Sequence, residues 1–235
     1  MSIAYQSDDG VVTLTLDDGK VNAMALPFFE ELGAALDRAE AERPIAVVIA
    51  GRAGYFSAGL NLKLLPTLPP AELERTTTVF GQTMLRVFTF GVPTIAAITG
   101  HAIAGGAFLA FACDERVVAD GPYKLHVNEV AIALPLPTFA LVIASSVIPR
   151  RWQPEAVLHA RAYAPDEALA RGLVDAVVSP GESVVQAAVQ RAGRLAGLDL
   201  AAYAAAKRRL RERDVAWALR NLPAEAAGRS ERAAV

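Results

Sequence analysis

The residues best placed to do chemistry lie in the stretch PTIAAITGHAIAGGAFLAFACD, residues 93–114. A β-branched run ends at Gly100, and the apolar segment 107–113 has the length and composition of a buried helix. Gly105 and Gly106 stand where that helix would begin, so backbone N–H groups would project there beside the positive end of the helix dipole. Such a position can stabilise a developing negative charge. The alternative is a tight strand-to-helix turn with glycines that only permit close packing.

The composition predicts a globular protein in a reducing compartment. The chain has 235 residues, of which 53% are hydrophobic and 20% charged, and its net charge of −2 gives no reason to expect a nucleic-acid partner. Cys113, the single cysteine, lies in an apolar run and is interpreted as a buried thiol. The two long uncharged runs, 92–113 and 130–149, are interrupted by glycine, histidine or proline, so we expect no membrane span and a cytoplasmic location. The N-terminus carries no pattern of a secretory signal.

Strands and helices alternate along the chain, which predicts an α/β layer fold with a helical tail. The predicted strands cover 3–6, 11–16, 45–50, 94–99, 116–119 and 174–178, with a further extended segment at 124–127. The predicted helices cover 26–41, 71–90, 106–112, 138–146, 153–160, 165–171, 182–196 and 200–222. Residues 1–180 are predicted to form the core and 181–235 a helical region used for oligomerisation. The basic stretch AKRRLRERD, residues 206–214, is interpreted as a solvated helix face, and the alternative is a face that contacts phosphate.

Two motifs, read together, resemble the crotonase (enoyl-CoA hydratase/isomerase) superfamily. FSAGLNL, residues 56–62, is similar to the signature F-[SCA]-A-G-x-D-[LI], and residues 93–114 are similar to P-x-[IV]-A-A-[IV]-x-G-x-A-x-G-G-G-x-x-x-[AL]-x-x-C-D. Weaker similarities follow in register, namely GKVNAM (19–24), NEVAIAL (128–134) and APDEALARGLVDAVVSP (164–180). The order and spacing fit from about residue 3 to 215.

The resemblance implies a crotonase-like spiral of ββα units that binds an acyl-CoA thioester. It implies no cofactor, because coenzyme A is part of the substrate. Two backbone N–H groups would hold the thioester oxygen as it becomes an enolate, and they fall on Leu60 and Gly105. The remaining substrate contacts would come from residues of three segments: Lys20, Val21 and Ala23; Ser57, Ala58 and Gly59; and Phe108. The family also implies a homotrimer or a dimer of trimers, to which we assign the apolar residues Leu200, Tyr203, Leu210 and Trp217 of the C-terminal segment.

The departures from the family pattern bear on the reaction. Hydratases of this family hold a water between two glutamates, and a gap-free alignment on GHAIAGGAF places the first of them at Phe108. The second falls on Glu129, which is present. Asn61 replaces the usual aspartate of FSAGLNL, and an amide can still accept and donate hydrogen bonds. The glycine- and proline-rich segment that normally follows Glu129 is replaced by ALPLPTF.

A single carboxylate beside an oxyanion hole suits proton shuttling better than hydration. HVNEVAI, residues 126–132, also looks closer to single-glutamate Δ3,Δ2-enoyl-CoA isomerases than to hydratases. We therefore predict an isomerase with Glu129 as acid and base. The alternatives are an enoyl-CoA hydratase and a catalytically weak acyl-CoA-binding protein.

The other candidate residues carry weaker signals. The alternative for Glu129 is a surface or salt-bridged glutamate without a catalytic role. His101 is interpreted as a core or cap residue, while His126 could be a second acid/base group if a turn brought it beside Glu129. No spacing of His, Cys, Asp and Glu resembles a metal site.

Overall fold

The computed structural model describes residues 2–233. Its strands are β1 Ser2–Asp8, β2 Val11–Asp17, β3 Ala23–Met24, β4 Ala46–Gly51, β5 Gly54–Ser57, β6 Gly59–Leu60, β7 Thr94–Ile98, β8 Gly100–Ile103, β9 Glu115–Ala119, β10 Leu125–His126, β11 Ala162–Tyr163 and β12 Ala176–Val178. Its α-helices are α1 Leu26–Glu42, α2 Pro70–Phe88, α3 Gly105–Ala112, α4 Thr138–Val147, α5 Pro165–Ala170, α6 Val184–Gly193 and α7 Leu200–Ala233. Short 3₁₀ or π turns lie at Leu65–Thr67, Val130–Ile132, Arg150–Trp152 and Pro154–Leu158.

A six-stranded sheet in the order β1-β2-β4-β7-β9-β12 forms the centre of the molecule. Only the β1–β2 hairpin is antiparallel; the other neighbours pair in parallel, with Val47 of β4 opposite Thr94 of β7. The strands β4 and β7 are buried over their whole length, as parallel strands covered on both faces should be.

Alternate side chains of the central strands enter two separate cores. Val47 and Ile49 of β4 join the large core, which also contains α1, α2 and α3. Their neighbours Ala46 and Val48 join a smaller core that α6 covers. The period of two therefore places one helical layer on each face of the sheet, and the predicted α/β class is confirmed.

Two smaller sheets lie beside the central one. The first has the order β11-β10-β8-β5, and the second pairs β3 with β6. Residues 100–103 were predicted as a turn, but they form β8 because β5 and β10 pair with both of its edges. The helix predicted at 153–160 is only a π turn, Pro154–Leu158, which leads into β11.

Helix α7 packs against α2 and α4 of the same chain. It continues beyond the predicted end at residue 222 and through Pro223, because Leu222 and Ala226 are buried on either side of the proline. Lys207 and Arg211 bind the carboxylate of Asp114 with N–O distances of 2.7 and 2.9 Å. The interpretation of residues 206–214 as a solvated face is therefore wrong for these two cations.

Candidate active site

A small cavity opens where β6, the start of α3 and the turn after β10 meet. Its volume is about 40 Å³. Apart from two polar side chains, Asn128 and Glu129, the described residues around it offer apolar groups and backbone. The cavity is lined by Ala58, Leu60, Leu62, Phe80, Ala104, Gly105, Phe108, Asn128, Glu129, Ile132, Leu134, Pro135 and Pro137.

The structure places Leu60 and Gly105, the two predicted backbone donors, on the wall of the same cavity. Strand β3 pairs with β6, so that Met24 lies opposite Leu60. The N–H of Asn61 donates to the Met24 carbonyl at 2.8 Å. Gly59 has φ +81°, and a Cβ on it would lie 2.7 Å from the Gly105 nitrogen. Only glycine fits this approach, which lets β6 rest directly on the first turn of α3. A Cβ on Gly106 would lie 2.2 Å from the Ser57 carbonyl oxygen of β5, so only glycine fits at this position too.

Ala104 is a site residue that the sequence analysis missed. Its φ of 50° and ψ of −121° are favourable for glycine and cost other residues about 1–3 kcal/mol. Its N–H donates to the His126 carbonyl at 2.8 Å, and its carbonyl accepts from the Phe108 N–H at 3.1 Å. These bonds fix the direction in which α3 starts. The available signal was that alanine stands at the first glycine of the family's G-G-G run.

The predicted coenzyme A contacts lie on a loop that Asn22 and Asp18 hold in place. The buried Asn22 amide donates to backbone carbonyls of β2 and β5, and its φ is 52°. The Asp18 carboxylate accepts from the N–H groups of Lys20, Asn22 and Ala23. Partial burial raises the pKa of Asp18, but these three N–H donors outweigh it and hold the pKa below its ordinary value. Neither Asn22 nor Asp18 is among the site residues predicted from the sequence.

This loop lies against the segment that carries the other predicted contacts. Ser57 is buried; its hydroxyl donates to the Asn22 carbonyl at 2.7 Å and accepts from the Gly59 N–H at 3.0 Å. Ala58 donates its N–H to the Val21 carbonyl at 2.9 Å. Backbone from 20–24 and from 57–60 is thereby joined into one surface next to the cavity.

Glu129 and Phe108 both line the cavity. Glu129 is 7% exposed, so it is not a surface glutamate. Its carbonyl accepts from the N–H groups of Ile132 and Leu134, which shapes the turn around it. Phe108 is 1% exposed and lines the same cavity, at the position where the gap-free alignment places the first glutamate of the hydratases.

The side chain of Asn61 closes the loop that follows β6. Its Oδ1 accepts from the N–H groups of Lys63 and Leu64 at 3.2 Å each. A neutral amide therefore caps this turn without the charge of the usual aspartate.

Neither His101 nor His126 is among the residues that line the cavity. Nδ1 of His101 accepts from the Lys124 N–H at 3.1 Å, and its ring packs between Tyr55 and Tyr123. Nε2 of His126 is bonded to the Ala160 carbonyl at 2.8 Å. Cys113 is buried as expected, and burial together with the Asp114 charge raises its thiol pKa to about 12.

Among residues 3–228, whose side chains the structure describes, no three side chains of His, Cys, Asp or Glu are grouped so that they could hold a metal ion. None of the helices in the described part of the chain is both long and apolar enough to cross a bilayer.

A parallel α/β core that places one carboxylate among the described lining residues, together with the start of a helix, around an apolar cavity is typical of an enzyme active site. The sequence profile described as enoyl-CoA hydratase/isomerase matches residues 6–226. The chain belongs to this family, whose crotonase fold it has.

Known proteins similar to this chain carry both names of the family. Human enoyl-CoA delta isomerase 1, a mitochondrial protein, is 31% identical over 183 residues, which is 77% of this chain and 60% of the human protein. The match thus spans less than two thirds of that relative's length.

Two solved structures are similar over almost the entire chain. The apo structure of an enoyl-CoA isomerase from Mycobacterium tuberculosis has a TM-score of 0.88 and 34% identity and covers 96% of this chain and 97% of its own. An enoyl-CoA hydratase from Mycobacterium ulcerans has a TM-score of 0.90 and 31% identity and covers 96% of this chain and 98% of its own.

Proposed function

We propose that this protein is an enoyl-CoA isomerase that moves a carbon–carbon double bond along the acyl chain of a CoA thioester. The observation that carries the proposal is the cavity itself, in which Glu129 is the one carboxylate among the described lining residues and Phe108 fills the other family position. The human relative named as an isomerase supports the same reaction, while the Mycobacterium tuberculosis protein carries both names, isomerase and probable hydratase.

The thioester oxygen would bind between the N–H groups of Leu60 and Gly105. Glu129 would take a proton from C2 of a 3-enoyl thioester, and the electron pair left on C2 would delocalise onto that oxygen. Two fixed backbone donors stabilise the resulting enolate more than the neutral thioester, so they lower the barrier. Glu129 then returns the same proton to C4, which leaves a 2-enoyl thioester and a carboxylate ready for the next cycle.

The apolar wall supports shuttling over water addition. Phe108, Phe80 and Leu134 surround the space in which the reacting carbons would lie, and none of them can hold a water by hydrogen bonding. The proton on Glu129 is therefore kept from bulk solvent between its removal and its return.

The experiment is to incubate the purified protein with 3-enoyl-CoA and 2-enoyl-CoA in parallel and to identify the products by mass spectrometry and chromatography. An isomerase converts each substrate into a mixture of the two positional isomers. If 3-hydroxyacyl-CoA forms from 2-enoyl-CoA as the main product, the protein is a hydratase instead. If acyl-CoA binds in calorimetry but neither substrate is converted, it is a binding protein.

A further inference from the structure

Glu225, a residue of α7, is bound to the residue at which α4 begins. Both of its carboxylate oxygens accept from the Thr138 backbone N–H at 3.0 Å, and Oε1 also accepts from the Thr138 hydroxyl. Thr138 is buried, and the two residues lie 87 positions apart in the chain. The pair therefore ties the C-terminal helix to the segment that enters α4, and the proposed isomerisation assigns it no role.

Thr138 directly follows a segment that lines the cavity. Leu134, Pro135 and Pro137 are lining residues, and the Glu129 carbonyl accepts from the Leu134 N–H at 2.9 Å. The two prolines have no N–H to donate and their rings fix φ, so the chain between Leu134 and Thr138 is stiff. A displacement of Thr138 is thus passed on to the turn that carries Glu129.

Helix α7 is itself fixed in the region that carries Glu225. Its residues Leu222 and Ala226, on either side of Glu225 in the sequence, are buried. A Cβ on Gly81 of α2 would lie 2.6 Å from Leu222 and 3.0 Å from Phe139 of α4. The three helices are in close contact here, so Glu225 is a rigid support for the segment that ends at α4.

We propose that Glu225 is a positioning residue for the isomerisation. Through Thr138 it holds the segment 134–137 against the cavity, and it thereby sets the distance of the Glu129 carboxylate from the reacting carbons. The inference rests on the proposed function of this cavity, which Glu225 itself does not line. Because a displacement of about 1 Å can slow a reaction about a hundredfold, loss of this support should slow the chemical step more than it weakens binding.

The first test compares kcat with KM for 3-enoyl-CoA. Glu225→Ala should lower kcat about tenfold and change KM less than about threefold, because the predicted donors Leu60 and Gly105 belong to other elements. Glu225→Gln should stay within about threefold of wild type, since the amide keeps the oxygen that accepts from both groups of Thr138.

Asp199→Ala is the matched control for stability. Asp199 is exposed, and its Oδ1 accepts from the Ala202 N–H at 2.7 Å, which caps the same helix at its other end. Circular dichroism should show a lower melting temperature for this variant, while its kcat stays at the wild-type value. If Glu225→Ala and Asp199→Ala have the same kcat, the proposal is overturned.

A second variant tests whether Glu225 acts through Thr138. Thr138→Val removes the hydroxyl at similar volume and should lower kcat about threefold. Added to Glu225→Ala, it should cause no further loss, because the hydroxyl has already lost its acceptor. Losses that multiply would show that the two residues act independently and would refute this role.

Hydrogen exchange followed by mass spectrometry tests the support without turnover. In Glu225→Ala, the amides of residues 130–141 should exchange about tenfold faster than in wild type, and those of α1 should be unchanged. Exchange that stays at the wild-type rate in 130–141, or rises along the whole chain, would overturn the proposal. A wild type that converts neither enoyl-CoA, combined with the local change in exchange, would overturn the proposed function and leave the support by Glu225 standing.

Discussion

A carboxylate that removes a carbon-bound proton must lie beside an apolar chain, and Glu129 occupies such a place. It is nearly buried, its backbone is fixed by the turn that follows, and the cavity offers it Phe108 and Leu134 as neighbours. In the proposed mechanism, the chemistry at the scale of residues depends on one side chain that moves a proton and on backbone groups that bind charge.

We expect Glu129→Gln to lose isomerisation by about 10²–10⁴-fold, because the amide keeps the shape but cannot accept the proton. Acyl-CoA binding should change little, since in the proposed site the thioester is bound by the backbone N–H groups of Leu60 and Gly105, which the substitution leaves in place. Initial rates and calorimetry on the same preparation measure the two quantities. Loss of binding with residual turnover unchanged would make Glu129 a structural residue and disprove the mechanism.

Phe108→Glu should raise hydration of 2-enoyl-CoA above the wild-type rate, because it restores a second group that can hold and activate water. Phe108→Leu is the matched control, since it changes the shape of the wall without adding a carboxyl group. Product analysis after fixed times checks both variants. Wild-type hydration as fast as that of a two-glutamate hydratase would contradict the premise that Phe108 disfavours water.

The sequence could predict which site residues converge but not how they are held. Leu60, Gly105 and Glu129 could be located because each follows a motif with fixed spacing. Asn22 lies in the motif GKVNAM, but its structural role could not be predicted from that motif. Its amide donates to carbonyls of β2 and β5, and only the folded chain brings those groups into contact.

Among the elements, the contact of β6 with α3 determines where the two backbone donors lie. Gly59→Ala should lower kcat/KM for isomerisation by more than tenfold, because its Cβ would displace the start of α3. Gly54→Ala is the control: φ is +85° there too, but nothing lies within 4 Å of an added Cβ. It should cost about 1 kcal/mol of stability and leave kcat/KM unchanged. Equal activity losses in the two variants would show that backbone strain alone is responsible.

The elements that could be predicted from the sequence are those with an apolar run or a helical spacing of apolar residues within one segment. The strand β4 and the helix α2 follow from apolar runs and helical spacing within one segment. The short strands β3, β6, β10 and β11 have two residues each, too few for a period, and exist because a neighbouring strand pairs with them. The burial of Lys207 could not be predicted from the sequence either, because its partner Asp114 lies 93 positions earlier in the chain.

For the whole molecule, Asp114 joins α7 to the central sheet. Asp114→Asn should lower the free energy of unfolding by about 3 kcal/mol, because Lys207, 5% exposed, and Arg211 would lose their counter-charge. Asp214→Asn, an exposed change on the same helix, should alter it by less than about 0.5 kcal/mol. Urea denaturation at pH 7 compares the three proteins. A small effect at Asp114 would mean that apolar packing alone holds α7.

Wild type and Asp114→Asn should differ less in their free energy of unfolding in acid. Burial raises the pKa of Asp114, but the nearby charges of Lys207 and Arg211 outweigh it and hold the pKa below its ordinary value. A lowered folded-state pKa stabilises the protein above the unfolded pKa, about 3.9, and this contribution is lost as the pH falls through the folded value. The gap between wild type and Asp114→Asn should thus persist at pH 5 and close only in stronger acid.

Helix α7 leaves large apolar side chains uncovered on its outer side, which bears on assembly. Leu210 is 81% exposed and Trp217 44%, and their separation of seven positions, about two helical turns, places both on the same side of the helix. We expect this surface to pack on a neighbouring subunit and to give a trimer or a dimer of trimers, whose closed symmetry would bury it in every copy. Light scattering at micromolar concentration should therefore report a multiple of the 24.8 kDa chain mass. Leu210→Glu combined with Trp217→Glu should shift the mass toward the monomer, while Asp214→Asn should not; a monomeric wild type would rule this assembly out.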